Sequence, residues 1–395
     1  MSVTYAKGFR AAGVTAGFKE SARPDLGLLV CDGPAAAAGA FTTNALPAAP
    51  VTVTRSHLDN GTARAVVVNS GQANAGTGEA GLADAAAMCG VVGRALGIEA
   101  GEVLVCSTGV IGPRVALDRF DAGVASAIET LSETGGNRFA EAICTTDTRI
   151  KAATTDAGPY RVGGCAKGVG MIAPRLAPHG LATLLAYLTT DAPVPPALLT
   201  EIVERWIVPG WNSLVLDGCQ STNDTVLVLS SGAAGGDPLR TMEDARAAGL
   251  ADALATVSED LARQLAADAE GATKQITVQV DGAVDVETAR RVGLAVAGSD
   301  LLKAAVFGGD PNPGRILQAA GDAGVALDPV SFGACYDSTP VIRDGVVLDA
   351  PEAKDALQGP EVLIRVTLGD GDGFATVFGS DLTYDYVRIN AEYST

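Results

Sequence analysis

Thr183 follows Ala182 in the stretch Leu181-Ala182-Thr183-Leu184. A threonine there can be both the target of self-cleavage and the catalyst that cleavage creates. Breaking the Ala182–Thr183 bond would make Thr183 an N-terminus. Its hydroxyl is then a nucleophile, and its own α-amine is the base beside it. A free α-amine titrates at roughly 7.7–8.0, so about a tenth to a sixth of it is unprotonated at pH 7, enough to act as a base. The pair alone is not diagnostic, because Ala-Thr is common in an Ala-rich chain and most such threonines are structural.

Acyl transfer also needs donors for a developing oxyanion and groups that hold the substrate ends. Cys106-Ser107-Thr108-Gly109-Val110-Ile111-Gly112 runs from strand to turn, and a glycine there lets a backbone N–H approach a ligand closely. Lys167 opens the glycine-containing loop Lys167-Gly168-Val169-Gly170. Glu270 precedes Gly271-Ala272-Thr273-Lys274 after an Asp- and Ala-rich helix; the alternative to a site residue is a solvated helix-end carboxylate. Gly308-Gly309-Asp310-Pro311-Asn312 lacks the Gly-Lys-Ser/Thr ending of a phosphate loop and reads as a turn next to the pocket. The chain has 2 histidines, His57 and His179, which leaves a His-based triad few candidates and argues against a multi-His metal site. His57 reads as part of an exposed turn. The 7 cysteines are scattered without a CxxC pair, as expected of reduced core thiols.

These groups need a frame. Residues 26–31, 65–69 and 102–107 are short apolar runs followed by turn residues, which predicts buried strands. Residues 79–96 and 116–133 predict helices, and 137–151 begins helical and ends in Thr145-Thr146-Asp147-Thr148. A strand at 160–166 leads into the Lys167 loop, and a strand starting at Thr183 would hold a new N-terminus rigidly. Further along, 195–207 predicts a short helix, 223–230 a strand and 241–268 one long helix. Residues 275–281 predict a half-exposed strand, 284–297 and 299–306 helices, and 361–368 and 374–378 strands. This mixture implies an α/β chain of sheets covered by helices.

Composition narrows the class. The 395 residues are 47% hydrophobic, enough for a large core and unlike a disordered chain. No apolar run approaches the ~20 residues that span a membrane, and the first residues lack a signal-peptide layout, so a cytoplasmic enzyme is expected. The net charge of −18 repels polyanions and argues against nucleic acid as a partner. No cofactor is called for.

Many stretches resemble, in order, the ornithine acetyltransferase (glutamate N-acetyltransferase, ArgJ) family. They are Ala40–Asn44 (AFTTN), Asn69–Ala75 (NSGQANA), Ser107–Gly112 (STGVIG), Thr145–Thr148 (TTDT), Lys167–Pro174 with Leu181–Leu184, and Thr189–Ala192 (TTDA). Asp217–Thr225 (DGCQSTNDT), Glu270–Lys274 (EGATK), Asp310–Ile316 (DPNPGRI) and Asp381–Thr395 complete the set. The resemblance covers nearly the whole chain. The chain departs from the pattern at Gln72, Gly76, Leu181 and Pro313, and five extra residues, Leu176–Gly180, stand between Lys167 and Thr183. The resemblance implies an Ntn-hydrolase-like, DmpA/ArgJ-type sandwich. It implies self-cleavage at Ala182–Thr183 into an α-chain, 1–182, and a β-chain, 183–395, forming one intertwined unit that assembles as two α and two β chains. It implies catalysis by Thr183, an oxyanion hole of the Thr108 hydroxyl and Gly109 amide, and assistance from Glu270. Substrate contacts fall to Thr145 (favoured over Thr146), Lys167, Thr183, Glu270, Asn390 and Thr395. The implied reaction moves acetyl from N²-acetylornithine to glutamate in arginine biosynthesis, with acetyl-CoA as a further candidate donor.

Two rivals stay open. One is an N-terminal-nucleophile amidase or aminopeptidase, with water as acceptor. The other is an uncleaved, non-enzymatic binder of acetylated amino acids, which draws its weight from the five-residue insertion.

Overall fold

The computed structural model describes residues 2–177 and 184–392. The expected layered α/β architecture is what it shows. A nine-stranded sheet runs in the order Val103–Val110, Thr62–Gln72, Leu26–Thr42, Thr225–Ser230, Leu185–Thr190, Tyr160–Lys167, Lys151–Ala157. Phe9–Val14 and Leu176–Ala177 pair onto Leu26–Thr42 beside this path. A six-stranded sheet is built from Val346–Val347, Thr339–Arg343, Gly333–Tyr336, Glu361–Thr367, Gln275–Gly282 and Gly371–Ser380, in that order. The second sheet is joined to the segment after helix Val208–Trp211, where Phe378 exchanges backbone hydrogen bonds with Ser213 (2.8 Å) and Val215 (2.9 Å).

Alternation along the strands fills a layer on each face. Val66 and Val68 enter one apolar cluster with Leu185, Tyr187 and Phe139, while Ala65 and Val67 enter another with Met88, Val92, Phe120 and Val124 from the helices Gly78–Leu96 and Leu117–Glu129. Leu184, Ala186 and Leu188 face a third cluster under the helix Leu250–Ala266. Strands buried on both faces read as unbroken apolar runs, which is why Ala-Val-Val-Val was legible as a strand.

The strand Leu26–Thr42 runs well past the six residues expected. Asp32-Gly33-Pro34 reads as a turn in the sequence, but the chain absorbs it as a register shift between Val30 and Ala35. The first half then pairs with Thr62–Gln72 and the second with Thr225–Ser230, so one strand joins the two sides of the sheet. Two other expectations need correction. The single helix at 241–268 is two, Met242–Ala247 and Leu250–Ala266, broken at Gly249, whose φ of +68° leaves the helical region. His57 is not in an exposed turn: it is the last residue of the helix Ala49–His57, partly buried, with Nδ1 at 2.7 Å from the Val103 carbonyl. The strand Gln275–Gly282 alternates as expected: Ile276, Val278 and Val280 are buried under helix Val286–Ala297, while Thr277, Gln279 and Asp281 are partly or fully exposed. All 7 cysteines are free thiols; five are buried, Cys335 is half-buried and Cys219 is exposed.

Phe139 is fully buried, edge-on to Tyr187 with ring centroids 5.2 Å apart, where the helix Gly136–Ala142 packs on the central strands. Phe139→Ala should therefore destabilise the protein by about 3–5 kcal/mol. Urea unfolding checks this: the midpoint should fall while the denaturant slope stays unchanged.

Candidate active site

A cavity of about 350 Å³ opens where strand ends from the nine-stranded sheet meet loops from the rest of the chain. Its walls include Thr108, Gly109, Thr145, Lys167, Glu270 and Asn390, so six of the expected site residues share one pocket. Ala182, Thr183 and Thr395, and His179 of the insertion, lie outside the described residues. The chain resumes at Leu184, fully buried, whose carbonyl accepts from Thr225 N at 2.7 Å. The turn Gly308–Asn312, expected beside the pocket, does not line it.

Thr108 and Gly109 close the strand Val103–Val110, which runs parallel to Thr62–Gln72. Gly109 has φ +122°, and a Cβ there would sit 2.4 Å from the Gly71 carbonyl carbon, so the position excludes any side chain. The neighbouring motifs brace this end. Ser107 Oγ donates to Asn69 Oδ1 (2.6 Å), and Asn69 Nδ2 donates to the Gln72 carbonyl (2.8 Å). Asn223 Nδ2 donates to the carbonyls of Ala73 (2.6 Å) and Ser107 (2.9 Å).

Lys167 ends the strand Tyr160–Lys167 and is 6% exposed. Its Nζ donates to Thr108 Oγ1 at 3.0 Å. Across the pocket, Glu270 accepts from Thr146 Oγ1 at Oε1 (2.7 Å) and from Asn390 Nδ2 at Oε2 (3.1 Å). Both Thr145 and Thr146 line the cavity, but the hydroxyl facing Glu270 is that of Thr146. One wall thus carries an ammonium with a hydroxyl, and the other a carboxylate with an amide. That polarity suits a small substrate with an anionic and a cationic end.

Paired motifs position these walls. Asp217 accepts from Met171 N (2.5 Å) and Ile172 N (2.9 Å), and so holds the loop after Lys167. Asp381 accepts from Thr273 N (2.8 Å) and Lys274 N (3.0 Å), and Thr383 Oγ1 donates to the Gly271 carbonyl (2.6 Å). The helix Tyr384–Glu392, which carries Asn390, is docked on the Glu270 turn by these contacts. Beside Glu270, burial raises the Tyr386 phenol to about 12, with Asp217 adding to the effect.

Sequence reasoning missed four groups. Asp147 is 1% exposed; its Oδ2 accepts from Thr145 N (2.9 Å) and its Oδ1 from Gly168 N (3.1 Å) and Lys151 Nζ (2.5 Å). Lys151 and Asp268 complete a buried set; the four-residue spacing of Asp147 and Lys151 was the available signal. Asp224 is 1% exposed and its Oδ1 has no hydrogen-bond partner among the described residues. Burial pushes this carboxyl well above its usual range.

For Asp147 burial acts to raise the pKa, but Lys167 and Lys151 outweigh it and hold the carboxyl down at about 2. A depressed carboxylate contributes stability above its unfolded pKa of 3.8 that is lost as pH falls through the folded value. Asp147→Asn should therefore lessen the loss of stability between about pH 4 and pH 2, by about 2 kcal/mol. Urea midpoints of both proteins at pH 6, 4 and 3 check this. A wild-type loss no steeper than the variant's would count against it.

The sequence profile of the ArgJ family matches residues 10–395. The arginine biosynthesis bifunctional protein ArgJ of Streptomyces coelicolor is 45% identical over 396 residues, covering 100% of both chains. The protein of the same name from Mycobacterium leprae is 46% identical over 403 residues, covering 100% of this chain and 96% of that one. Among solved structures, ornithine acetyltransferase complexed with ornithine from Mycobacterium tuberculosis aligns at 45% identity with a TM-score of 0.42, covering 45% of this chain and 96% of that one. The chain belongs to the ArgJ family.

Proposed function

We propose that this protein is a self-cleaving acetyltransferase that moves acetyl from N²-acetylornithine to glutamate. The observation that supports it best is the convergence of Thr108, Gly109, Lys167, Glu270 and Asn390 on one cavity. The names of the full-length relatives, which place them in arginine biosynthesis, point the same way.

In this reading, the Thr183 hydroxyl attacks the Ala182 carbonyl and the peptide becomes an ester. That shift breaks the Ala182–Thr183 C–N bond and frees the Thr183 amine; water then opens the ester, releasing the Ala182 carboxylate and restoring the Thr183 hydroxyl, and chains 1–182 and 183–395 stay as one intertwined unit. The freed amine takes the hydroxyl proton as Thr183 attacks the acetyl group of N²-acetylornithine. Negative charge develops on the acetyl oxygen, where the Thr108 hydroxyl and the Gly109 N–H are the donors. Collapse passes a proton to the leaving amine and releases ornithine. The glutamate amine then attacks the acetyl-Thr183 ester, and N-acetylglutamate leaves with the threonine restored. Lys167 faces a substrate carboxylate. Glu270, held by Thr146 and Asn390, faces the amine end, and Thr145 and Thr395 complete the contacts. Acetyl-CoA is a candidate alternative donor to the same threonine. A cytoplasmic assembly of two α and two β chains fits the family resemblance.

Intact mass under denaturing conditions tests the first step. Wild type should give two species meeting at Ala182/Thr183, and Thr183→Ala one chain of 395 residues. A single unbroken wild-type chain would reject the reading. Loss of an oxyanion donor in Thr108→Val should lower kcat by about 10²–10³. The assay is ornithine release from N²-acetylornithine with glutamate present. Equally fast release without glutamate would make the protein a hydrolase instead.

A further inference from the structure

Lys167 is a nearly buried ammonium with a single hydrogen bond, to the Thr108 hydroxyl, among the described residues. No described carboxylate lies within ion-pair distance of it; the salt bridges of this region belong to Lys151. Taking a charge out of water without compensation costs several kcal/mol. The compensation lies one layer behind the pocket.

Asp147 accepts from the backbone N–H of Gly168, the residue after Lys167, at 3.1 Å, so its carboxylate is tied to the backbone that carries that side chain. The pull between them is evident in the depressed Asp147 pKa, where burial is opposed first by Lys167 and then by Lys151. Yet the ion-pair contact goes to Lys151. Lys151 is fully buried and bridges Asp147 Oδ1 and Asp268 Oδ2, each at 2.5 Å. Asp268 in turn accepts from Thr148 N at 3.1 Å and from the Thr148 hydroxyl. The four groups are electrically neutral together, but the contacts are unequal. Lys151 touches both carboxylates and Lys167 touches neither.

We propose that Lys151 is a positioning residue that sets specificity: by occupying Asp147, it keeps the Lys167 ammonium from collapsing onto that carboxylate and leaves it for a carboxylate of the substrate. The inference rests on the reading that Lys167 faces such a group. An ammonium held close to its own buried counter-ion would have to give up that partner to bind a ligand. An ammonium balanced at a distance gives up nothing. The backbone contacts of Asp147 serve the same end, because they fix the carboxylate against following Lys167 into the pocket. Asp224, on which Lys167 also acts, Asp217 and, across the cavity, Glu270 are the other acidic groups near this site, and none of them has an ion pair to Lys167 among the described residues.

The test is the double variant Lys151→Met/Asp268→Asn. It removes one buried charge of each sign, keeps the region neutral and leaves Lys167 as the cation that balances Asp147, whose backbone contacts stay. Kinetics are measured with N²-acetylornithine and with its α-carboxamide, after intact mass has established that the chain has split. The expected result is a kcat/KM about tenfold or more lower for the carboxylate donor, carried by KM, with a change under about threefold for the carboxamide. A structural role alone would lower both equally, and that outcome overturns the proposal. Lys167→Met separates the two layers of the argument. If it fails to discriminate the two donors, the assignment of Lys167 to a carboxylate falls, and the proposal with it. If it discriminates and the double variant does not, the proposal alone falls. Asp268→Asn by itself preserves the Lys151–Asp147 pair and should keep the wild-type ratio of the two donors. A tenfold loss of that ratio would overturn the proposal even if the double variant cannot be purified.

Discussion

The pocket exists because carboxylates substitute for a hydrogen-bond ladder where the strands stop. A strand end leaves backbone N–H groups without a neighbour, and such groups cannot be buried unpaired. Here aspartates take them. Asp147 accepts from Thr145 and Gly168, Asp217 from Met171, Ile172 and Cys219, and Asp381 from Thr273 and Lys274. Asp25 accepts from four successive residues, Ala16 to Lys19. Each carboxylate joins segments distant in sequence or folds one tightly on itself. Where the walls of the cavity leave the strands, they are therefore fixed by charge-assisted hydrogen bonds to backbone N–H groups.

This explains why the ordered motifs carry information together that none carries alone. Each motif is half of a contact. The asparagine of Asn69-Ser70-Gly71-Gln72 meets Ser107 of the next motif, and Asn223 braces both from a third. Glu270-Gly271-Ala272-Thr273-Lys274 is clasped by Asp381 and Thr383 from the C-terminal stretch. Asp217 holds the loop that Lys167 begins. A change in one half leaves an unpaired polar group in the other, at a cost typical of a lost buried hydrogen bond, ~1–3 kcal/mol.

Legibility in the sequence followed the type of interaction. Doubly covered strands such as Thr62–Gln72 stand out because burial on both faces demands continuous apolar residues. The extension of Leu26–Thr42 through Asp32-Gly33-Pro34 did not, because tertiary pairing on both sides overrides a local turn signal. Likewise the break at Gly249 hides inside an otherwise helical pattern, since an isolated glycine is tolerated in many helices. The resemblance supplied the pocket residues Thr108, Gly109, Lys167, Glu270 and Asn390. It passed over Lys151 and Asp268, whose importance lies in a partner about 120 residues away rather than in any local pattern. Long-range electrostatics leave no periodicity to read.

The same network reconciles a strongly acidic chain with a pocket that holds a cation. A net charge of −18 gives the surface a negative field, but exposed charges are screened beyond about 8–10 Å at moderate salt. Inside the cavity Lys167 is nearly out of water, and the charges that matter are those within a few ångströms. There the sign is set wall by wall, by the Lys167 ammonium on one side and the Glu270 carboxylate on the other. Local pairing decides what the pocket attracts, and the global charge decides chiefly how the molecule behaves in solution.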